Sequence, residues 1–169
     1  MFEFFRTATL IAATLAIGLM AGLFYAYAIS VMPGLGKADP RTLIDAMQRI
    51  NVAILNGWFA LGFGGAFVFT AIALMLHLRS DGRSVLPWIV AALILYVITL
   101  GITFGLNVPL NDQLDAAGPV DRIADLAAVK AQFFDKWVRW NVVRGLSNLA
   151  AFGCLTWALV LQGRITAGS

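Results

Sequence analysis

The chain has 169 residues; 60% are apolar even without counting Gly, 12% are charged, and the formal charge is +3. Soluble globular domains run roughly 45–50% apolar with Gly included and about 25% charged, so neither a water-soluble domain nor a disordered chain fits this composition. No basic run points to nucleic acid; at a mean hydropathy of +0.84, the bilayer is the expected solvent.

Residues 7–36, 50–78, 84–111 and 145–163 contain no Asp, Glu, Lys or Arg. Each gap supplies the ~20 residues that cross ~30 Å of hydrocarbon as a helix, whereas a β-barrel would show short alternating segments. The expected fold is all-α, an up-down four-helix bundle integral to the membrane. Spans are expected at about 5–32, 52–78, 86–107 and 140–162, and amphipathic extensions of helices 2 and 4 at about 40–51 and 121–139 project on one side. Ala26-Tyr27-Ala28 resembles a signal-peptidase site, but the uncharged stretch 7–25 before it exceeds the usual 7–15-residue apolar core of a leader. It is expected to stay as the first span.

In chain order, the first helix is expected to stop at Pro33-Gly34, because proline cannot continue the hydrogen-bond ladder. Asp39-Pro40 then reads as N-cap and first helical residue. Leu43, Ile44, Met47, Ile50, Ile54 and Leu55 recur at helical spacing. A helix over 40–78 would be about 58 Å long, so it projects from the membrane or bends near Gly57. Ser80-Asp81-Gly82-Arg83 reads as a tight turn, Pro109 as the end of the third span, and Asp121 as the cap of a last helix over 122–162. No internal repeat is legible. The spacing-four rows Thr14, Gly18, Gly22, Ala26, Ser30 and Gly101, Gly105 suit close helix packing or a homo-oligomer. Arg6, Arg79, Arg83 and Arg164 lie in short segments on one side; since short loops weigh most, both termini are expected in the cytoplasm of a bacterial inner membrane.

Rare residue types bound the chemistry. Cys154, His77 and Glu3 are each the sole member of their kind. This excludes an intrachain disulfide and a CxxC exchange motif, a bis-histidine haem within one chain and the Glu-x-x-His di-iron bundle. No metal site and no cofactor are expected. His77 and Cys154 read as ordinary interface and packing residues.

The polar residues are distributed unevenly. One membrane face gathers Tyr25, Tyr27, Ser30, Gln48, Asn51, Asn56, Asn107, Asn111, Trp137, Trp140, Asn141, Arg144 and Asn148; the other has mainly Thr70, His77, Trp88 and Gln162. Polar side chains at membrane depth face a bundle interior or a wet cavity. Trp137, Asn141, Arg144 and Asn148 follow steps of four, three and four, so they share one helical face. Arg144 is either a fixed cation for an oxyanion or enolate, or a snorkelling or paired charge with Asp112 or Asp135 as partner. Asn51 and Gln48 either orient a ligand carbonyl or tie helices. Tyr25, Trp58, Trp137 and Trp140 either clamp a planar ring or form an interfacial belt. Arg144, Asn141 and Asn51 are the candidate catalytic residues. Tyr25, Gln48, Trp58, Asn107, Asn111, Trp137, Trp140 and Asn148 are the candidates for binding a planar hydrophobic molecule or lipid.

The stretches GLFYAYAISVMPGL, MQRIN, NVPLN (107–111) and WVRWNVVR (137–144), in this order, resemble the anthrone oxygenase-like family of small four-span membrane proteins, also catalogued as domain of unknown function 1772. The resemblance runs from about Gly18 to Leu155. It implies a four-helix membrane bundle and, for some members, oxygenation of an anthrone to an anthraquinone without metal or flavin. By the same analogy Asn51, Asn107, Asn111, Trp137, Trp140, Asn141 and Arg144 line the pocket. Many relatives carry His where this chain has Val142, and Thr is common where it has Gly145. Two readings stay open: a cofactor-independent oxygenase, and a non-catalytic lipid, quinone or small-aromatic binding protein or subunit of a membrane assembly. A transporter is not expected, since no charge lies in the middle of a span and no half-helix pair occurs.

Overall fold

A computed structural model describes residues 1–78 and 83–167. Most of the expected 80–83 turn therefore lies outside the described residues. Four stretches are long and apolar enough to cross a membrane: Phe2–Lys37, Gly57–Leu76, Leu86–Ala116 and Leu126–Ala167. No strand occurs among the described residues. The protein is an all-α membrane bundle.

The first stretch is α1 (Phe2–Ala26), a five-residue π turn (Tyr27–Val31) and α2 (Met32–Lys37). Pro33 therefore does not stop the helix as expected. The wide turn closes with the Met32 N–H donating to the Tyr27 carbonyl, five residues back, and Pro33 follows as the second residue of a fresh helical segment. There its missing N–H and its ring do the ladder least harm. The third stretch repeats the device. α5 (Leu86–Ile102) passes into a π turn (Thr103–Asn107), where the Val108 N–H donates to the Thr103 carbonyl, and α6 (Val108–Ala116) again carries proline, Pro109, at its second position. The two outgoing helices thus share a structural repeat that the sequence does not advertise.

The second stretch breaks. Asp39 caps α3 (Pro40–Ala53), its carboxylate accepting from the Thr42 N–H at 3.0 Å. The chain then kinks at residues 54–56, where Asn56 donates to the Ala53 carbonyl at 2.8 Å and accepts from the Phe59 N–H at 3.0 Å. Asn56 thereby closes one helix and opens the next, α4 (Gly57–Leu76). The last helix, α7 (Leu126–Ala167), runs unbroken for 42 residues, about 63 Å at 1.5 Å per residue. Asp125, not Asp121, caps it by accepting from the Ala128 N–H at 2.9 Å. Asp121 sits in a 3-10 turn (Val120–Arg122) and pairs with Arg41.

Packing follows the apolar faces. α1 lies against α4 and α7, α5 lies against α7, and of these adjacent pairs α4 and α5 share the thinnest contact. One core, with Leu10, Ile17, Ala66, Ile89, Tyr96 and Leu155, fills the membrane part. A second, with Met32, Leu43, Ile44, Met47, Leu114, Phe133 and Trp137, joins α2, α3, α6 and the start of α7 into a cap over one end. Lys130 ties this cap, donating to the Gly36 and Ala38 carbonyls at 3.0 and 2.8 Å. Of the small-residue rows, Gly18 packs closely: an added Cβ would lie 2.9 Å from the Phe152 ring. Gly101 and Gly105 face open space, so they do not serve packing within this chain.

The end opposite the cap holds more polar structure than expected. Arg6, 1% exposed, donates to Glu3 at 2.8 Å and to the Leu76 carbonyl at 2.9 Å. Gln162 donates to Glu3 at 3.0 Å, and its Oε1 lies 3.2 Å from His77 Nε2. His77 is fully buried at the end of α4, its Nδ1 2.7 Å from the Ala73 carbonyl and its Nε2 facing Gln162 of α7.

Candidate functional site

Between the α3–α4 kink, the two π turns and α7 lies a cavity of about 320 Å³. Its floor is Arg144, 8% exposed. The helix face that places Arg144 inward also places Trp137, Asn141 and Asn148 inward, and all four are buried. The guanidinium carbon sits 4.4 Å from the centre of the Phe24 ring and 5.3 Å from that of Trp137. Its Nε and one terminal nitrogen donate to Asn141 Oδ1 at 3.3 and 3.0 Å, and the other terminal nitrogen donates to Thr103 Oγ1 at 3.4 Å.

No carboxylate pairs with Arg144 among the described residues. This excludes pairing with Asp112 or Asp135, and burial excludes snorkelling. Both Asn141 and Thr103 are neutral, so the positive charge is solvated by dipoles and ring faces but not cancelled. A guanidinium has five N–H donors, and two here have no acceptor among the described residues. Such a charge at low dielectric attracts an anion far more strongly than it would in water.

The walls orient this floor. Asn141 Nδ2 donates to the Phe24 carbonyl at 3.1 Å, locking its oxygen toward Arg144. Trp137 donates through Nε1 to Asn111 Oδ1 at 2.8 Å, and the Tyr27 ring lies tilted at 44° with its centre 5.6 Å from that of Trp137. Gln48, Asn51, Phe59, Phe63, Phe104 and Asp112 complete the lining.

The candidate residues therefore separate. Arg144, Asn51, Gln48, Asn111 and Trp137 line the cavity. Asn141 stands immediately behind it. Gln48 is spent on structure, donating to the Leu114 and Gly118 carbonyls at 3.0 Å each. Asn51 makes no side-chain hydrogen bond among the described residues and lies in the lining with its amide available. Asn107 and Asn148 are buried ties, to the Trp137 and Ile17 carbonyls at 3.2 Å each, and the Oδ1 of each has no partner among the described residues. Trp58 is 85% exposed, Trp140 is half-buried and outside the lining of this cavity, and Tyr25 lies on the far side of α1.

Tyr25 belongs to a second hollow of about 530 Å³ between α1 and α7, almost wholly apolar, which also contains Asn141, Val142 and Gly145. Val142 and Gly145 thus face this groove and not the Arg144 floor. Thr103, Phe24 and Phe104 are cavity residues that sequence reasoning missed. Thr103 sits four residues after Thr99, on the same helix face, which was the available signal; nothing local marks the two phenylalanines.

The family model for anthrone oxygenase matches residues 56–154, more than half of the chain. The chain belongs to the anthrone oxygenase family. The matched segment contains α4, α5, both halves of the NVPLN turn, and Trp137, Asn141 and Arg144; Gln48 and Asn51 precede it. No curated protein matches the chain. No solved structure matches it either.

Proposed function

We propose that the Arg144 cavity binds a planar, apolar molecule with an acidic C–H or O–H group, and that the chain is a cofactor-independent oxygenase of the anthrone type. The observation that carries this reading is Arg144, buried between two aromatic rings without a counter-charge. Loss of the substrate proton puts negative charge on the ring oxygen. A preorganised guanidinium stabilises that anion and costs no reorganisation when the charge appears. Phe24, Tyr27 and Trp137 offer ring faces to a flat ligand. The carbanion-like ring carbon then gives electrons to dioxygen: one oxygen atom becomes the new carbonyl and the other leaves as water with the two hydrogens of the methylene. Asn51 orients the ligand and Asn141 holds the guanidinium.

A second reading rests on the α1–α7 groove. Its walls carry Val142 and Gly145 and little polar surface, which supports a lipid or quinone held without chemistry. One experiment separates the two. Purified protein in nanodiscs is mixed with anthrone in air, and oxygen uptake is followed beside the anthraquinone absorption. Acceleration over empty nanodiscs that vanishes in Arg144→Met supports the oxygenase. Anthrone that binds and returns unchanged refutes it in favour of the second reading.

A further inference from the structure

We infer that the ligand of the Arg144 cavity arrives uncharged and sideways from the bilayer, through a gap between the α3–α4 kink and the second π turn. This rests on the reading of the cavity given above. Two kinds of edge surround the cavity. On one, Val52, Leu55 and Phe104 line the cavity and are also 69%, 79% and 62% exposed. Leu55 stands two residues before the membrane-crossing α4, and Phe104 lies in the uncharged part, 86–111, of the crossing stretch Leu86–Ala116. Such side chains at that depth meet hydrocarbon, and the gap lies between α4 and α5, the adjacent pair of spanning helices with the thinnest contact.

On the other edge stand Asp112 and Asp115, both exposed and both lining the cavity. They follow Phe104 by 8 and 11 residues, about 12 and 16 Å further along a helix at 1.5 Å per residue. The cavity therefore runs from the hydrocarbon to the aqueous boundary. Two carboxylates at the watery rim oppose a soluble anion, and hydrocarbon at the other edge excludes any ion. A neutral, lipid-soluble acid meets neither barrier. It ionises only on reaching Arg144, its proton passing to water at the rim. The class of ligand is thereby narrowed to weak acids that partition into membranes uncharged; carboxylates and sulfonates are excluded.

Cys154 is the single cysteine, so a Cys154→Ala background allows one blocking group to be placed at will. In that background Leu55→Cys, Phe104→Cys and Asp112→Cys are each reacted with N-phenylmaleimide and reconstituted in phosphatidylcholine nanodiscs. Anthrone binding is followed without oxygen by stopped-flow tryptophan quenching. The Leu55 and Phe104 adducts should slow association and dissociation together, each by tenfold or more. The Asp112 adduct should slow neither by more than twofold. Slowing by the Asp112 adduct alone, or by none of the three, overturns lateral access while leaving the binding site intact. Failure of the unmodified protein to bind anthrone overturns the proposed function and this inference with it.

Discussion

Replacing Arg144 by methionine should leave the bundle standing and empty its cavity. The side chain is buried with no counter-charge and makes three hydrogen bonds to two neutral acceptors. Its removal orphans Asn141 Oδ1, at about 1–3 kcal/mol for a buried acceptor, while the Thr103 hydroxyl keeps its bond to the Thr99 carbonyl. It also relieves an uncompensated buried charge, a change commonly neutral or favourable by about 1–4 kcal/mol. The terms oppose, so net stability should move by less than about 2 kcal/mol. Binding has no such offset. Two unused N–H groups meeting an oxyanion contribute about 1.5–3 kcal/mol each; after the ligand's own desolvation, a net of about 3 kcal/mol is a loss of about 100-fold in affinity. Arg144→Lys keeps a charge but loses the planar fork and should lose about tenfold. Anaerobic anthrone titration in nanodiscs, beside a thermal melt, reads both quantities. An affinity within threefold of the parent in Arg144→Met, with the fold intact, would refute the assignment of the cation to the ligand.

Asn141→Asp sets a carboxylate against the guanidinium, and is expected to raise the melting temperature while weakening anthrone binding tenfold or more; tighter binding would contradict the account of an unpaired charge. Tyr96→Phe removes the hydroxyl that donates to the Phe63 carbonyl at 2.6 Å; that carbonyl keeps its helical donor within α4, so the loss should be the net worth of one hydrogen bond, about 0.5–1.5 kcal/mol, measured by thermal unfolding in detergent. The Asp39 carboxyl is held below its ordinary value of 3.8 by the Thr42 hydroxyl and then the Thr42 N–H. Its stabilisation of α3 is therefore fully present above pH 3.8 and fades as pH falls through the lowered value. Hydrogen exchange of the α3 amides should accelerate over that acid interval in the parent protein, relative to Asp39→Ala.

The four apolar stretches and the cation at their end are plain in the sequence, because charge gaps and three-four spacing are local properties. What escaped depends on phase or on distance. In an unbroken helix Trp58 would follow Asn51 by seven residues on one face and point at the cavity; the kink at 54–56 resets that phase and turns it outward. Tyr25 stands one residue from Phe24, about 100° around α1, so Phe24 faces Arg144 while Tyr25 faces the groove. Both prolines announce a stop, yet a π turn absorbs each, and no residue pattern foretold the extra residue. The bond from Gln162 to Glu3 joins residues 159 apart, beyond the reach of any periodicity.

That bond also sets how the molecule can move. Glu3, Arg6, His77 and Gln162 rivet α1, the end of α4 and α7 together at one end, and the hollow lies at the other. The rivet makes a pivot. Arg6 and Tyr27 are 21 residues apart on one continuous stretch, a lever arm of about 31 Å. A tilt of about 2° about that pivot would shift the cavity wall by about 1 Å over this length.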